Sequence, residues 1–254
     1  RRAALHSPDK IRMKTIRNLR RRRFDGLLQI DDNDDDLLVG VDDDDPENWK
    51  RATLVLPCGA GKTRAPLPLL RRLFSDRDRG VIRILVLAPG LQLLAQLLEE
   101  WRKNWDKITG LPTMDVLTVC SDRAVHDPNE EAEDFEDNTV DEKQRAQMGT
   151  VTSCEADVTK HLGKTDGERL RVCVVLCTYQ SSSIVRGGCA NFRREPESGI
   201  FDIAIFDEAH RTVSATQRQK ISCYQFALRD FNTTDGIDIR RRVFLTATPR
   251  CPEY

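Results

Sequence analysis

The 254-residue chain carries 40 basic and 41 acidic side chains, a formal net charge of -1, so a nucleic-acid-binding surface has to be local rather than a property of the whole molecule. With 39% hydrophobic and 32% charged residues it holds enough apolar material for one large α/β domain with polar tails, or for two small domains. No apolar run approaches the roughly 18 residues of a membrane span and no secretory signal opens the sequence, so no membrane partner is expected.

The eight cysteines include no C-x-x-C pair and no histidine is spaced to complete a zinc site. They are expected to be reduced thiols of an intracellular protein, several buried as small hydrophobes, with cytoplasm and nucleus both open. The sequence begins at Arg1 rather than Met, which suggests a fragment or a processed product.

Residues 1–24 are basic and end in Arg20, Arg21, Arg22 and Arg23. They read either as a nucleic-acid arm or nuclear address, or as a solvated tail, and the second is favoured because such runs are usually just solvated. Acidic runs follow, Asp31 to Asp36 and Asp42 to Asp45, which repel themselves and bury little. Residues 1–48 are therefore expected to be a largely disordered tail, and residues 49–254 the folded domain.

From Trp49 onward apolar runs alternate with amphipathic stretches. Residues 52–56 read as a first strand, followed by a glycine-bearing turn and a helix toward Phe74. Pro66 and Pro68 conflict with that helix, since a proline past the first turn costs about 3 kcal/mol, so the helix is expected to kink or to start late. Residues 81–87 form a nearly continuous Val/Ile/Leu strand interrupted by Arg83, of the kind buried on both faces of a parallel sheet. Leu91, Leu94, Ala95, Leu98 and Trp101 then recur at helical spacing, and residues 114–120 read as a third strand.

Residues 121–150 are acidic with few apolar anchors and read as a surface insertion. A short helix over 153–162 would be capped by Ser153, and residues 171–177 give a fourth strand. Residues 200–206 give a fifth, followed by a helical stretch to about 229, and 243–245 a sixth. Strands alternating with helices predict an α/β fold, a parallel sheet sandwiched by helices, with ligands at the carboxyl ends of the strands.

Three strand ends carry chemistry. After the first strand, Pro57-Cys58-Gly59-Ala60-Gly61-Lys62-Thr63 has the glycines that let a backbone curl its N–H groups around phosphates. Lys62 would reach the β/γ-phosphates, and the Thr63 hydroxyl would hold Mg²⁺. The complete pattern wants glycine where Leu56 stands, so alone the loop competes with an ordinary Gly-rich turn. Asp207 and Glu208 end the fifth strand: one carboxylate suits Mg²⁺ and its neighbour suits the attacking water, although an acid pair also simply starts helices. The sixth strand ends in Thr246-Ala247-Thr248, and the joint occurrence of all three favours the functional reading.

This combination resembles superfamily 2 helicases and translocases, specifically their first RecA-like domain with a DEAH-type second motif, in the branch of restriction-enzyme motor subunits. The loop at 57–63 resembles motif I, residues 87–96 motif Ia, Cys177-Thr178-Tyr179-Gln180-Ser181 the next nucleic-acid-contacting motif, residues 201–212 motif II and residues 244–250 motif III. In that branch an aliphatic residue commonly stands where Leu56 does.

The resemblance implies a RecA-like P-loop NTPase fold and ATP hydrolysis coupled to movement on nucleic acid, with DNA favoured over RNA but the two not distinguished by the sequence. It makes Lys62 and Glu208 catalytic, Glu208 as the base. The loop 57–63 would be the ATP cradle and Thr63 with Asp207 the Mg²⁺ holders, while His210, Thr246 and Thr248 would couple nucleotide state to strand grip. Pro89, Gly90, Thr178 and Tyr179 would lie along the sugar-phosphate backbone, though Tyr179 reads equally well as a packing aromatic.

The arginine fingers are expected from a second RecA-like domain downstream, and Gln29 is a poor match to the adenine-reading glutamine. The competing reading is a helicase-derived module that binds nucleotide or nucleic acid without turnover. Another P-loop NTPase, such as a kinase, is disfavoured by the consecutive Asp207-Glu208-Ala209-His210 and by the Thr-Ala-Thr strand end.

Overall fold

The alternation of apolar runs and amphipathic helices produces one sheet with helices on both faces. The computed structural model describes residues 38–41, 50–57, 59–120, 148–165, 169–192, 200–209 and 236–247. The basic segment, most of the acidic insertion and the helical stretch expected after residue 210 lie outside these residues, as do Cys58, His210 and Thr248.

The strands are β1 (Leu38–Val41), β2 (Arg51–Val55), β3 (Val81–Ala88), β4 (Met114–Val119), β5 (Thr150–Thr152), β6 (Arg171–Thr178), β7 (Ile203–Phe206) and β8 (Arg242–Thr246). They lie side by side in the order β1-β2-β8-β7-β3-β6-β4-β5. Every neighbouring pair is parallel except β1 against β2. β1 falls inside the stretch expected to be disordered and β5 continues directly from the insertion. Both are short edge strands, too brief to carry a periodic signal of their own.

Helices α1 (Pro66–Phe74) and α2 (Leu91–Thr109) cover one face, while α3 (Glu155–Gly163) and α4 (Ser182–Asn191) cover the other. The period-2 alternation of β3 divides the two cores. Ile82, Ile84, Val86 and Ala88 meet Leu67, Leu70, Phe74, Leu94 and Trp101, whereas Leu85 and Leu87 meet Val158, Leu162 and Val185.

Arg83 occupies the position on β3 where the second core would take another apolar residue. It is buried, and its guanidinium donates from Nε (3.0 Å) and Nη2 (2.9 Å) to the Leu162 carbonyl in the last turn of α3, with Phe192 beneath it at 5.1 Å. A cation there satisfies a helix-end carbonyl and opposes the negative pole of the dipole.

The proline conflict resolves as a late start. Residues 62–65 form turns, α1 begins at Pro66, and Pro68 stands within the first turn, where no helical N–H partner exists for it to lose. The Ser153 cap is not used. The capping position is Cys154, whose N–H donates to Thr152 Oγ1 (3.0 Å) while that hydroxyl donates to Asp157 Oδ2 (2.6 Å).

Helix α4 lies in a stretch where the sequence alone predicts no element, and it contains Gly187 and Gly188, residues of poor helical propensity. A Cβ on Gly188 would stand 2.6 Å from the Val158 Cβ, so its bareness is what lets α4 close on α3. The close approach is locked where Thr159 Oγ1 donates to the Gly188 carbonyl at 2.9 Å.

Cys173, Cys177 and Cys189 are buried, and burial pushes their thiols up, Cys173 to about 11. They pack as small hydrophobes rather than as reactive groups. His161 is also buried; burial, reinforced by the Lys164 charge, lowers it from 6.5 to about 4.

Its folded value thus lies below its unfolded one, so as pH falls from 6.5 toward 4 the unfolded chain takes up a proton that the folded chain refuses. Stability is expected to fall by on the order of 2 kcal/mol between pH 7 and pH 5 from this group. Urea midpoints at the two pH values should converge in His161→Asn, and an unchanged slope in that variant would reassign the effect.

Candidate active site

The strands β2, β8 and β7 run parallel and side by side, so their carboxyl ends open at the same edge of the sheet. The register pairs Val55 with Thr246 and Phe206 with Phe244. β2 and β7 are therefore two strand spacings apart, about 10 Å, a gap that one lysine side chain spans.

Backbone bonds extend the sheet into the loops. The Leu56 N–H donates to the Thr246 carbonyl at 2.9 Å, Asp207 N–H to the Leu87 carbonyl at 2.8 Å, and Ala209 N–H to the Leu245 carbonyl at 2.9 Å. The end of β8 thus ties the base of the glycine loop on one side to the acidic turn on the other. The carbonyl of Thr246, expected to be a coupling residue, stands at the junction of the two.

Gly59 and Gly61 have φ of +84° and +85°, and a Cβ at either would meet nothing within 4 Å. The conformation requires glycine, and the space beside both positions is open. The loop then closes into α1 through Arg64 and Ala65 N–H groups donating to the Gly61 carbonyl at 2.9 and 3.0 Å. Lys62 sits at that turn, and its Nζ donates to Glu208 Oε1 at 2.5 Å. The two sequence-distant elements expected to share one site therefore meet, with Lys62 13% and Glu208 24% exposed at the side chain.

Glu208 has a left-handed backbone, φ +49°, unusual for any residue with a Cβ and costing on the order of 1–2 kcal/mol. Asp207 Oδ1 accepts the Glu208 N–H at 3.0 Å, so the first carboxylate props up the strained turn that aims the second. Burial, then the adjacent Glu208 charge, raises the Asp207 carboxyl above its ordinary value, while that N–H and Lys62 oppose the shift. A half-buried carboxylate whose charged form is disfavoured in this way gains from a cation at its free oxygen. Among the described residues no group of three or more His, Cys, Asp and Glu forms a protein-only metal cage. The donors present instead suit a cation that keeps much of its water and shares phosphate oxygens, the habit of Mg²⁺.

Two further residues shape the site. Trp101 of α2, whose periodicity marked it only as core, donates its indole N–H to the Thr63 carbonyl at 2.8 Å while wholly buried. Beside it Arg64 pairs with Glu100. The end of the glycine loop is thereby fastened to α2, a link the sequence signalled only through the need of a buried indole for an acceptor.

Thr178 and Tyr179, expected along a nucleic-acid strand, are both buried, Tyr179 completely, in keeping with the packing reading of that ring. Thr178 Oγ1 instead donates to Ser181 Oγ at 3.0 Å, and the Tyr179 hydroxyl to the Asp207 carbonyl at 2.8 Å. Pro89 and Gly90 are half-buried at the end of β3, with Gly90, which has no side chain to make a capping bond, as the cap of α2.

A glycine cradle, an ion pair from its lysine to a strand-end acid pair, and a parallel sheet between helices define a P-loop nucleotide-binding domain of RecA-like type. The family described as type III restriction enzyme, res subunit (ResIII), matches residues 6–251, and the chain belongs to it.

A comparison with curated proteins found no significant match. Among solved structures the fold is shared with a nuclease-deletion mutant of the Type ISP restriction-modification enzyme LlaGI in complex with a DNA substrate mimic. That match has 23% identity and a TM-score of 0.52 over 78% of this chain and 16% of that one. It is shared as well with the ATP-dependent Type ISP restriction-modification enzyme LlaBIII bound to DNA, at 24% identity and a TM-score of 0.54 over 80% of this chain and 11% of that one. The chain spans a small part of the length of either enzyme. Family and fold together make it a first RecA-like domain of the superfamily 2 helicase type.

Proposed function

We propose that this domain binds Mg²⁺-ATP and hydrolyses it in response to nucleic acid, as the first half of a translocating motor. The observation that carries the reading is the 2.5 Å ion pair between Lys62 of the glycine loop and Glu208 of the acid pair.

The fit to the nucleotide is chemical. Gly59, Ala60 and Gly61 can turn backbone N–H groups toward a phosphate chain, and Lys62 adds a mobile cation. Thr63 and Asp207 supply a hydroxyl and a carboxylate for the metal. Bound Mg²⁺-ATP supplies a charge-neutralised γ-phosphoryl group open to in-line attack.

Glu208 then has one task, to accept a proton from water at its carboxylate, and Lys62 must leave Oε1 for that oxygen to be free. A filled cradle would offer Lys62 phosphate oxygens in place of Glu208 Oε1, which would free that oxygen. His210 and Thr248 are proposed, with Thr246, as the coupling residues, and Pro89 and Gly90 as phosphate-backbone contacts. The arginine finger is proposed to come from a second RecA-like domain. DNA is the proposed polymer, because the similar enzymes are described bound to DNA or to its mimic.

The test is phosphate release by the purified chain with Mg²⁺-ATP, alone and with single-stranded or duplex DNA or RNA, repeated with the downstream sequence attached. DNA-stimulated release supports the motor. Tight nucleotide binding with no release in any combination identifies a binding module instead. No described helix is long and apolar enough to cross a membrane.

A further inference from the structure

We infer that Tyr179 is a positioning residue for the Asp207-Glu208 turn, acting from the far side of β3 through the hydrogen bond of its hydroxyl to the Asp207 carbonyl. The inference rests on the reading of Glu208 as the base, but its geometry stands apart from that reading.

In the sheet, β3 lies between β6, which Tyr179 follows, and β7, which Asp207 follows. The Tyr179 side chain crosses the end of β3 to reach the Asp207 carbonyl at 2.8 Å. That carbonyl belongs to the peptide linking Asp207 to Glu208, the residue whose φ is +49°. Fixing the peptide plane fixes where the left-handed residue begins, and with it the direction of the Glu208 side chain. A strained conformation persists only where its surroundings over-determine it. Here three bonds do so: the Tyr179 hydroxyl on the Asp207 carbonyl, Asp207 Oδ1 on the Glu208 N–H, and the Leu245 carbonyl on the Ala209 N–H.

The ring is held as firmly as the hydroxyl. Tyr179 stacks on Phe206 with centroids 6.5 Å apart and planes at 24°, and Phe206 stacks on Phe244 at 4.7 Å and 29°. This row of aromatics joins the ends of β6, β7 and β8 beneath the site. The segment after β6 is buried along with it, Ser181 and Ser182 included, so a displacement of its start is carried to the carboxylates rather than absorbed in solvent.

Tyr179→Phe removes the hydroxyl and keeps the stack. By amide hydrogen exchange the Ala209 N–H should exchange at least about tenfold faster in the variant, on the scale of one lost buried hydrogen bond. The Leu56 N–H, which bonds to the neighbouring Thr246 carbonyl in the same sheet, should be unchanged. In ATP turnover kcat should fall by on the order of tenfold with KM within about twofold, because the bond is expected to act on the direction of the base and not on the phosphate cradle.

Unaltered Ala209 exchange overturns the inference whether or not the parent chain hydrolyses ATP. Altered exchange in a chain whose parent shows no ATP turnover sustains the positioning role and counts against the hydrolytic reading alone. Faster exchange with kcat unchanged in a turning-over chain also overturns it, since the turn would then have moved without consequence.

Discussion

Glu208→Gln is expected to abolish ATP turnover, by about 10² to 10⁴-fold, while leaving nucleotide binding intact. The amide has nearly the shape of the carboxylate and keeps the hydrogen-bonding reach of the side chain, but it cannot accept the proton of an attacking water. Its effect on binding runs the other way. In the parent chain Lys62 is held by Glu208 at 2.5 Å, and nucleotide phosphates have to compete for it. A partly exposed ion pair is worth about 0–1 kcal/mol, so removing the competitor should tighten nucleotide affinity by at most about fivefold. Single-turnover phosphate release and titration with a fluorescent ATP analogue separate the two effects. A variant that still turns over at the parent rate would show that the proton goes elsewhere.

The parts of this site visible in the sequence were those made by residues adjacent in the chain. Gly59 and Gly61 beside Lys62, and Asp207 beside Glu208, carry their chemistry in their order, and strand alternation placed them at one edge. The broad fold was legible for the same reason, because β3 and β6 are long apolar runs with no helical alternative.

What could not be read was anything that depends on a third element. Tyr179 reads equally as a nucleic-acid contact and as a packing aromatic, because only the strand order β7-β3-β6 shows that its hydroxyl meets the Asp207 carbonyl. Trp101 looked like core, which it is, but its indole N–H finds the Thr63 carbonyl only once α2 is laid against the loop. Helix α4 was hidden because Gly187 and Gly188 have poor helical propensity, and the reason for tolerating them lies in the Val158 and Glu155 atoms facing them. Local propensity carries no record of a neighbour that sets the permitted size of a residue.

Lys62→Ala is expected to weaken nucleotide binding by on the order of 10²-fold, from about 3 kcal/mol for a charge-assisted bond to phosphate. The same substitution strips the acid pair of its cation: Lys62 is among the influences holding Asp207 down against burial and the Glu208 charge. Its loss should push the Asp207 carboxyl further up, so Mg²⁺ dependence should shift toward higher pH in the variant.

Lys62→Arg separates charge from shape. Arginine retains the charge and can fork onto the Glu208 carboxylate, so the pair across the two strands survives. A guanidinium held bidentately is a poorer competitor for a tight backbone cradle than a mobile ammonium, so affinity for the nucleotide should still fall. If charge alone were at work, the arginine variant would bind ATP like the parent. If Lys62 served only to neutralise the acids, both variants would bind normally, and the glycine loop would lose its assignment as the phosphate site.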